Sequence, residues 1–223
     1  MKYFKLIERS VDVALFLQEI QANPDAWTLD TERQKLKAQR DTETIILHSH
    51  GDDWIEDKKA QRRVPVSYVG RPTSNADLFL RTSAWVEEFI KRMNGRAGRV
   101  AIVRLKPHGQ VNRHIDGWLY YDLRHRYHLV VKSARGSLVR AGDEEVRMKE
   151  GEIWWFDNQV LHEAINDSDE DRIHVIFDVL SLESMRYFFV HAILWRYPRR
   201  LLRRPVRALR NKMKRMGRLP SKQ

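Results

Sequence analysis

Between residues 11 and 22, Val13, Leu15, Phe16, Leu17 and Ile20 fall mainly at the three- and four-residue spacing of one helix face, and Asn23-Pro24-Asp25 stops the run. An early amphipathic helix is predicted there. Ile45-Ile46-Leu47-His48 reads as a strand, followed by the turn Gly51-Asp52-Asp53. A second helix is predicted over residues 78–93, capped by Ser74-Asn75-Ala76-Asp77, with Trp85, Phe89 and Ile90 on one face and Asn94-Gly95 at its end.

From Arg99 the pattern changes to short β-type runs at 100–105, 111–115, 127–131, 137–140, 145–148, 153–156, 161–165 and 173–180. Pro107-His108-Gly109, Ala134-Arg135-Gly136, Ala141-Gly142-Asp143 and Glu150-Gly151 separate them. Short strands at such close turn spacing predict an all-β sandwich or barrel, and we expect a jelly roll. After Leu182 a helical period returns through Met185, Phe188, Phe189, Ala192, Ile193 and Trp195, until Pro198 and Pro205 interrupt it. The expected organisation is a helical and strand part at 1–98 packing on the core, a β core at 99–182 and a basic helical tail at 183–223.

Composition narrows the chemistry. Hydrophobic residues make up 42% of the 223, with seven Trp, seven Tyr and eight Phe, enough apolar surface to offset chain entropy over most of the length. Cysteine is absent, which excludes disulfides, zinc–thiolate sites, iron–sulfur clusters and a thiol nucleophile. Any metal is therefore held by nitrogen and oxygen. Met1-Lys2-Tyr3-Phe4-Lys5 lacks the apolar run of a secretory leader, and no stretch of about 18 apolar residues occurs, so a cytoplasmic protein is expected.

The formal charge of +11 suggests a nucleic-acid binder until its distribution is read. Residues 186–223 carry thirteen Lys and Arg and no acid, so residues 1–185 carry 11 − 13 = −2. The basicity belongs to the tail. Its mixture of Phe, Leu, Ile, Trp and Arg suits an anionic membrane surface; its cations alone suit nucleic acid, and a solvated extension explains the same composition.

His114-Ile115-Asp116 is the sharpest local feature. Residues i and i+2 of a strand project from one face, so an imidazole and a carboxylate are aimed at one point. His162, 48 positions later and beside the turn Asp157-Asn158-Gln159, is the candidate third ligand. Two His and one carboxylate occupy one face of an octahedral metal and leave three positions open, as in non-haem Fe(II) oxygenases. Arg172, ten positions beyond His162 on the next strand, suits a dicarboxylate through bidentate, charge-assisted hydrogen bonds.

Arg126-Tyr127-His128-Leu129, Gly151-Glu152 through Phe156-Asp157, His162-Glu163, Asn166 and Arg172 resemble the aspartyl/asparaginyl β-hydroxylase family of 2-oxoglutarate-dependent oxygenases. The resemblance covers residues 100–180 and implies a cupin-like double-stranded β-helix using Fe(II), O2 and 2-oxoglutarate. It implies cosubstrate-binding roles for Arg126, His128 and Arg172, and hydroxylation of an unactivated C–H of an amino-acid, peptide, protein or related substrate with release of succinate and CO2. One position departs: the namesake animal enzymes have Gly where this chain has Asp116. The carboxylate completes a three-residue set and separates this chain from those enzymes' Asp or Asn substrate.

Trp118, Tyr120 and Tyr121 are candidates to line a substrate mouth, although core packing explains them about as well. Trp154 and Trp155, adjacent on a strand, face opposite sides. His108 and His125 lie near the proposed ligands but in turn-like sequence and are given no direct role, His48 and His50 are read as surface or core histidines, and His174, sharing a strand face with Arg172, as a packing residue. Two other classes stay open: a non-catalytic cupin-type binding protein, because fold does not fix chemistry, and an adaptor that binds phosphates through the tail.

Overall fold

The computed structural model describes residues 1–28, 32–49, 69–117 and 119–190. Strands β1 (Phe4–Glu8), β2 (Thr42–Ser49), β3 (Arg71–Pro72), β4 (Arg96–Leu105), β6 (His125–Lys132), β9 (Ile153–Phe156) and β11 (Arg172–Leu180) form a seven-stranded antiparallel sheet, ordered β1-β9-β6-β11-β4-β2-β3. Strands β5 (Gln110–His114), β7 (Ser137–Ala141), β8 (Glu144–Val146) and β10 (His162–Asn166) form a second antiparallel sheet, ordered β5-β10-β7-β8. These two sheets make a double-stranded β-helix, the jelly roll expected from the strand spacing. All eight predicted runs are strands, most displaced by one or two residues at an end.

Strict alternation along β6 and β11 builds two cores at once. Tyr127, Leu129, Ile173, Val175, Phe177 and Val179 face the helices α1 (Ala14–Ala22) and α2 (Leu80–Arg92), where they join Phe16, Ile20, Val86, Phe89 and Ile90. Phe89, Tyr127 and Phe177 pack ring against ring at 5.2–5.6 Å, and each such burial contributes about 1.5–3 kcal/mol. On the other face Leu105, Val130, Trp154 and Phe156 meet Val139, Ala141, Val146 and Ala164 of the smaller sheet. Trp154 lies in this second core and Trp155 packs against the first, on opposite sides of β9 as expected.

Two elements differ from the sequence reading. Residues 74–78 form a separate 3-10 turn rather than the cap of α2, because Thr73 Oγ1 and Asn75 Nδ2 donate to the Ile46 carbonyl and bind the segment to β2. The N-terminus of α2 is capped from α1: the Glu19 carboxylate accepts from the backbone N–H groups of Arg81 and Thr82 and from the Thr82 hydroxyl at 2.7–3.0 Å. Residues 4–8, to which the sequence reading assigns no element, form β1, an edge strand paired with β9.

The motif residues 151 and 152 shape the turn into β9. Gly151 has φ +74°, and a Cβ there would lie 2.7 Å from the Val11 carbonyl oxygen. Glu152 accepts from the Lys149 N–H and the Trp154 Nε1–H.

The chain divides into two compact units, Met1–Leu182 and Glu183–Gln223. Helix α3 (Leu119–Asp122) lies in the first, and α4 spans Leu182–Tyr187. Ala192, Ile193, Trp195, Pro198 and Pro205, and the turn at 51–53, lie outside the described residues. Among the described residues no helix is long and apolar enough to cross a membrane.

Candidate active site

Antiparallel pairing of β5 with β10 sets His114 directly opposite His162, and the Asp116 N–H donates to the Asn158 carbonyl just past the end of β5. One donor atom from each of His114, Asp116 and His162 lies within 4.8 Å of the others. His114 Nδ1 lies 2.7 Å from the Asn112 carbonyl and His162 Nδ1 3.0 Å from that of Val160. A carbonyl only accepts, so both Nδ1 atoms carry the hydrogen and both Nε2 lone pairs are free for a cation. Burial pushes the His162 imidazole below its ordinary pKa, which keeps it in the neutral, ligating form.

Asp116 is held from behind. Its Oδ2 accepts from Arg126 Nη1 at 2.6 Å and from Asn158 Nδ2 at 3.0 Å, while Oδ1 faces His114 Nε2 at 3.5 Å. Burial raises the carboxyl pKa, but Arg126 and the two imidazoles outweigh it and hold the group well below the usual carboxylate range. The donor set, two imidazole nitrogens and one ionised carboxylate, fits a divalent transition metal.

A cavity between the sheets runs from this cluster to the larger sheet, where Arg126, His128, Arg172 and Ile176 line it with Leu105 and Phe156. His128 is buried, and neither ring nitrogen has a hydrogen-bond partner among the described residues. Burial, then the charges of Arg172 and Arg126, push it well below the ordinary histidine pKa. Arg172 is buried and forms no ion pair among the described residues; its guanidinium reaches only His174 Nδ1, at 3.3 Å. Burial pushes it down to about 10. A buried cation without an internal anion is costly, and a bound carboxylate answers that cost.

Arg126 has a different setting. It holds both Asp178 oxygens at 2.8 and 3.0 Å besides Asp116, and stacks on the Tyr121 ring. Asp178 and Asn158, which sequence reading passed over, are thus the residues that fix Arg126 and Asp116. Tyr120 is not among the residues that line this cavity; it is buried, and its hydroxyl donates to Asp178 Oδ2 and accepts from the Arg99 N–H. Trp118 lies outside the described residues. Asn166 is structural, its Nδ2 donating to the carbonyls of Lys106 and Glu170.

The other histidines sit elsewhere. His125 packs against Trp155 on the helix side of β6, His108 pairs with Asp169 on an exposed turn, and His48 is buried 3.9 Å from Glu87. His50 lies outside the described residues.

Several solved structures are similar to this chain at low identity. A viral collagen prolyl hydroxylase from Paramecium bursaria chlorella virus 1, solved as its 2-oxoglutarate complex, is 13% identical over 81% of this chain and 97% of that one, with TM-score 0.49. A prolyl-4-hydroxylase of Pseudomonas putida is 14% identical over 80% and 92%, TM-score 0.47. A Trichoplax adhaerens prolyl hydroxylase, solved with a hypoxia-inducible-factor peptide, is 14% identical over 82% and 86%, TM-score 0.49. A search of curated proteins returned no match. A family profile described as aspartyl/asparaginyl beta-hydroxylase matches residues 17–181, and the chain therefore belongs to that family of 2-oxoglutarate-dependent dioxygenases.

Proposed function

We propose that this chain is an Fe(II)- and 2-oxoglutarate-dependent hydroxylase, with His114, Asp116 and His162 as metal ligands and Arg172 and His128 as the cosubstrate pocket. The observation that carries the reading is a buried guanidinium without an anion among the described residues, lining the same cavity as a His–Asp–His cluster. Iron held there would supply O2 activation, by which one oxygen atom would enter a substrate C–H bond and the other 2-oxoglutarate, leaving succinate and CO2.

The chain's own residues orient and hold charge. His114 and His162 offer Nε2, and Asp116, tied through Oδ2, offers Oδ1. Arg172 takes the distal carboxylate of the cosubstrate, and His128 meets its polar edge. Arg126 acts through Asp116, because Asp116 and Asp178 occupy three of its N–H groups. Leu105, Val139 and Phe156 wall the cavity with apolar surface, which strengthens the charge interactions inside it.

The substrate is an amino acid, a peptide or protein side chain, or a related molecule. For residues 186–223 we propose an anionic lipid surface as partner, supported by Phe188, Phe189, Ile193 and Trp195 preceding the paired arginines at 199–200 and 203–204.

Anaerobic titration of the full chain with Fe(II) and 2-oxoglutarate tests the central reading. The visible metal-to-ligand charge-transfer band is expected in wild type and lost in Arg172→Ala. Metal bound without the band in wild type would remove the cosubstrate assignment.

A further inference from the structure

We propose that His174 is a positioning residue for the cosubstrate: a neutral acceptor that aims the Arg172 guanidinium while leaving its charge free for an incoming carboxylate. This rests on the hydroxylase reading above and assigns a role to a residue that reading does not use.

His174 is fully buried on the cavity face of β11, two residues from Arg172, and pairs across to Val103 of β4 and Val130 of β6. Its Nδ1 lies 3.3 Å from Arg172 Nη2, and Nε2 has no partner among the described residues. Arg has donors only, so Nδ1 is the acceptor and Nε2 carries the hydrogen. That tautomer is fixed by the neighbour, without a choice left to the imidazole. Burial first and then the Arg172 charge push His174 well below the ordinary histidine pKa, so the ring stays neutral at physiological pH.

The chemical type of the acceptor matters. A carboxylate at position 174 would orient the guanidinium equally well, but it would neutralise it and compete with the ligand. An aliphatic side chain would preserve the charge but leave a planar, multi-donor group without a fixed rotation, and bidentate recognition depends on that plane. A neutral imidazole meets both demands. His128 lies beside it, ring centroids 5.7 Å apart, also with unpartnered nitrogens. Three polar side chains with unmet hydrogen-bonding capacity thus lie together, Arg172 and His128 lining the cavity and His174 buried beside them, and buried polar groups ordinarily have partners.

Calorimetric titration of 2-oxoglutarate into the anaerobic, Fe(II)-loaded full chain tests this with a series at position 174. His174→Gln, which keeps an acceptor, is expected to bind within about threefold of wild type. His174→Leu should bind roughly 10- to 100-fold more weakly, the weight of one hydrogen bond to a charged group, and His174→Asp more weakly still. Affinity for Fe(II) should be the same in all four proteins. A packing role predicts a different order, with Leu tolerated best and 2-oxoglutarate binding unmoved; that order would overturn the proposal and leave the hydroxylase reading standing. Failure of wild type to bind 2-oxoglutarate with iron in place would overturn both.

A wild-type measurement guards against variants that do not fold. Isotope-labelled histidine NMR of the full chain should show His174 as the Nε2–H tautomer, with its Nδ1 resonance moving on addition of 2-oxoglutarate. An Nδ1–H tautomer would overturn the proposal by itself.

Discussion

Replacing Arg126 by Met leaves Asp116 and Asp178 facing each other's side of the site without the guanidinium that joins them. The change removes two hydrogen bonds to Asp178 and one to Asp116, all at 3.0 Å or less. Side-chain exposures of 13%, 11% and 2% for Arg126, Asp116 and Asp178 mean that water does little to replace them. Breaking a buried pair by removing one partner costs about 3–5 kcal/mol. For a unit of this size, at about 2–4 °C per kcal/mol, the melting point should fall by roughly 6–20 °C.

The pH dependence separates this mechanism from simple loss of packing. Asp116 has a native pKa below its unfolded value, so its contribution is present above about pH 4 and disappears as pH falls toward the native pKa. Without Arg126 the opposing influence of burial gains weight, and ionisation of Asp116 becomes less favourable in the folded state. The stability gap between wild type and variant should therefore be largest above about pH 4 and shrink as pH falls below it. Urea unfolding of the metal-free full chain, followed by circular dichroism at several pH values, measures it. A loss under about 1 kcal/mol, or one independent of pH, would refute the account.

Two more outcomes follow from other parts of the structure. Arg172→Met should leave metal-free stability unchanged or raised, because a buried cation without an anion opposes folding; 2-oxoglutarate at about 100 times its Kd should stabilise the iron-loaded wild type by about 2.7 kcal/mol and this variant hardly at all. A clear loss of metal-free stability would show that Arg172 has an internal partner. In the full chain, replacing Arg199, Arg200, Arg203 and Arg204 together by Glu should lower sedimentation with phosphatidylglycerol vesicles at least tenfold, given about 1 kcal/mol for each basic residue at an anionic surface. Equal sedimentation, or binding transferred wholly to RNA in wild type, would remove the lipid proposal.

The core of the site was legible because strand periodicity is a two-residue rule. His114 and Asp116 obey it, and so do Arg126 with His128, whose separation alone places both on one face. The same rule held a signal that was not used: Arg172, His174, Ile176 and Asp178 alternate with Ile173, Val175, Phe177 and Val179, so Asp178 shares the Arg172 face. Its partner, Arg126, is 52 residues away, and no local pattern links the two. Asn158 was read as a turn residue, which it is, but its amide also holds Asp116. The capping expectation at Ser74 failed for a tertiary reason: Glu19 reaches across from α1, and β2 captures Thr73 and Asn75. Tyr120 was ambiguous between mouth and core because an aromatic near a ligand strand suits either.

The proposed metal ligands sit on one sheet, in or beside β5 and β10, and the buried guanidinium sits on the other, on β11. A molecule gripped at both ends must therefore bridge the sandwich, and its length is measured against the separation of the two sheets. That separation is set by ordinary core residues such as Leu105, Val130, Val139 and Ala164, which hold the layers apart as spacers. Selection of a five-carbon diacid over one a methylene shorter or longer is then a property of how the hydrophobic interior is filled. The sandwich works as a ruler, and its gauge is cut by side chains that need never touch the ligand's charged ends.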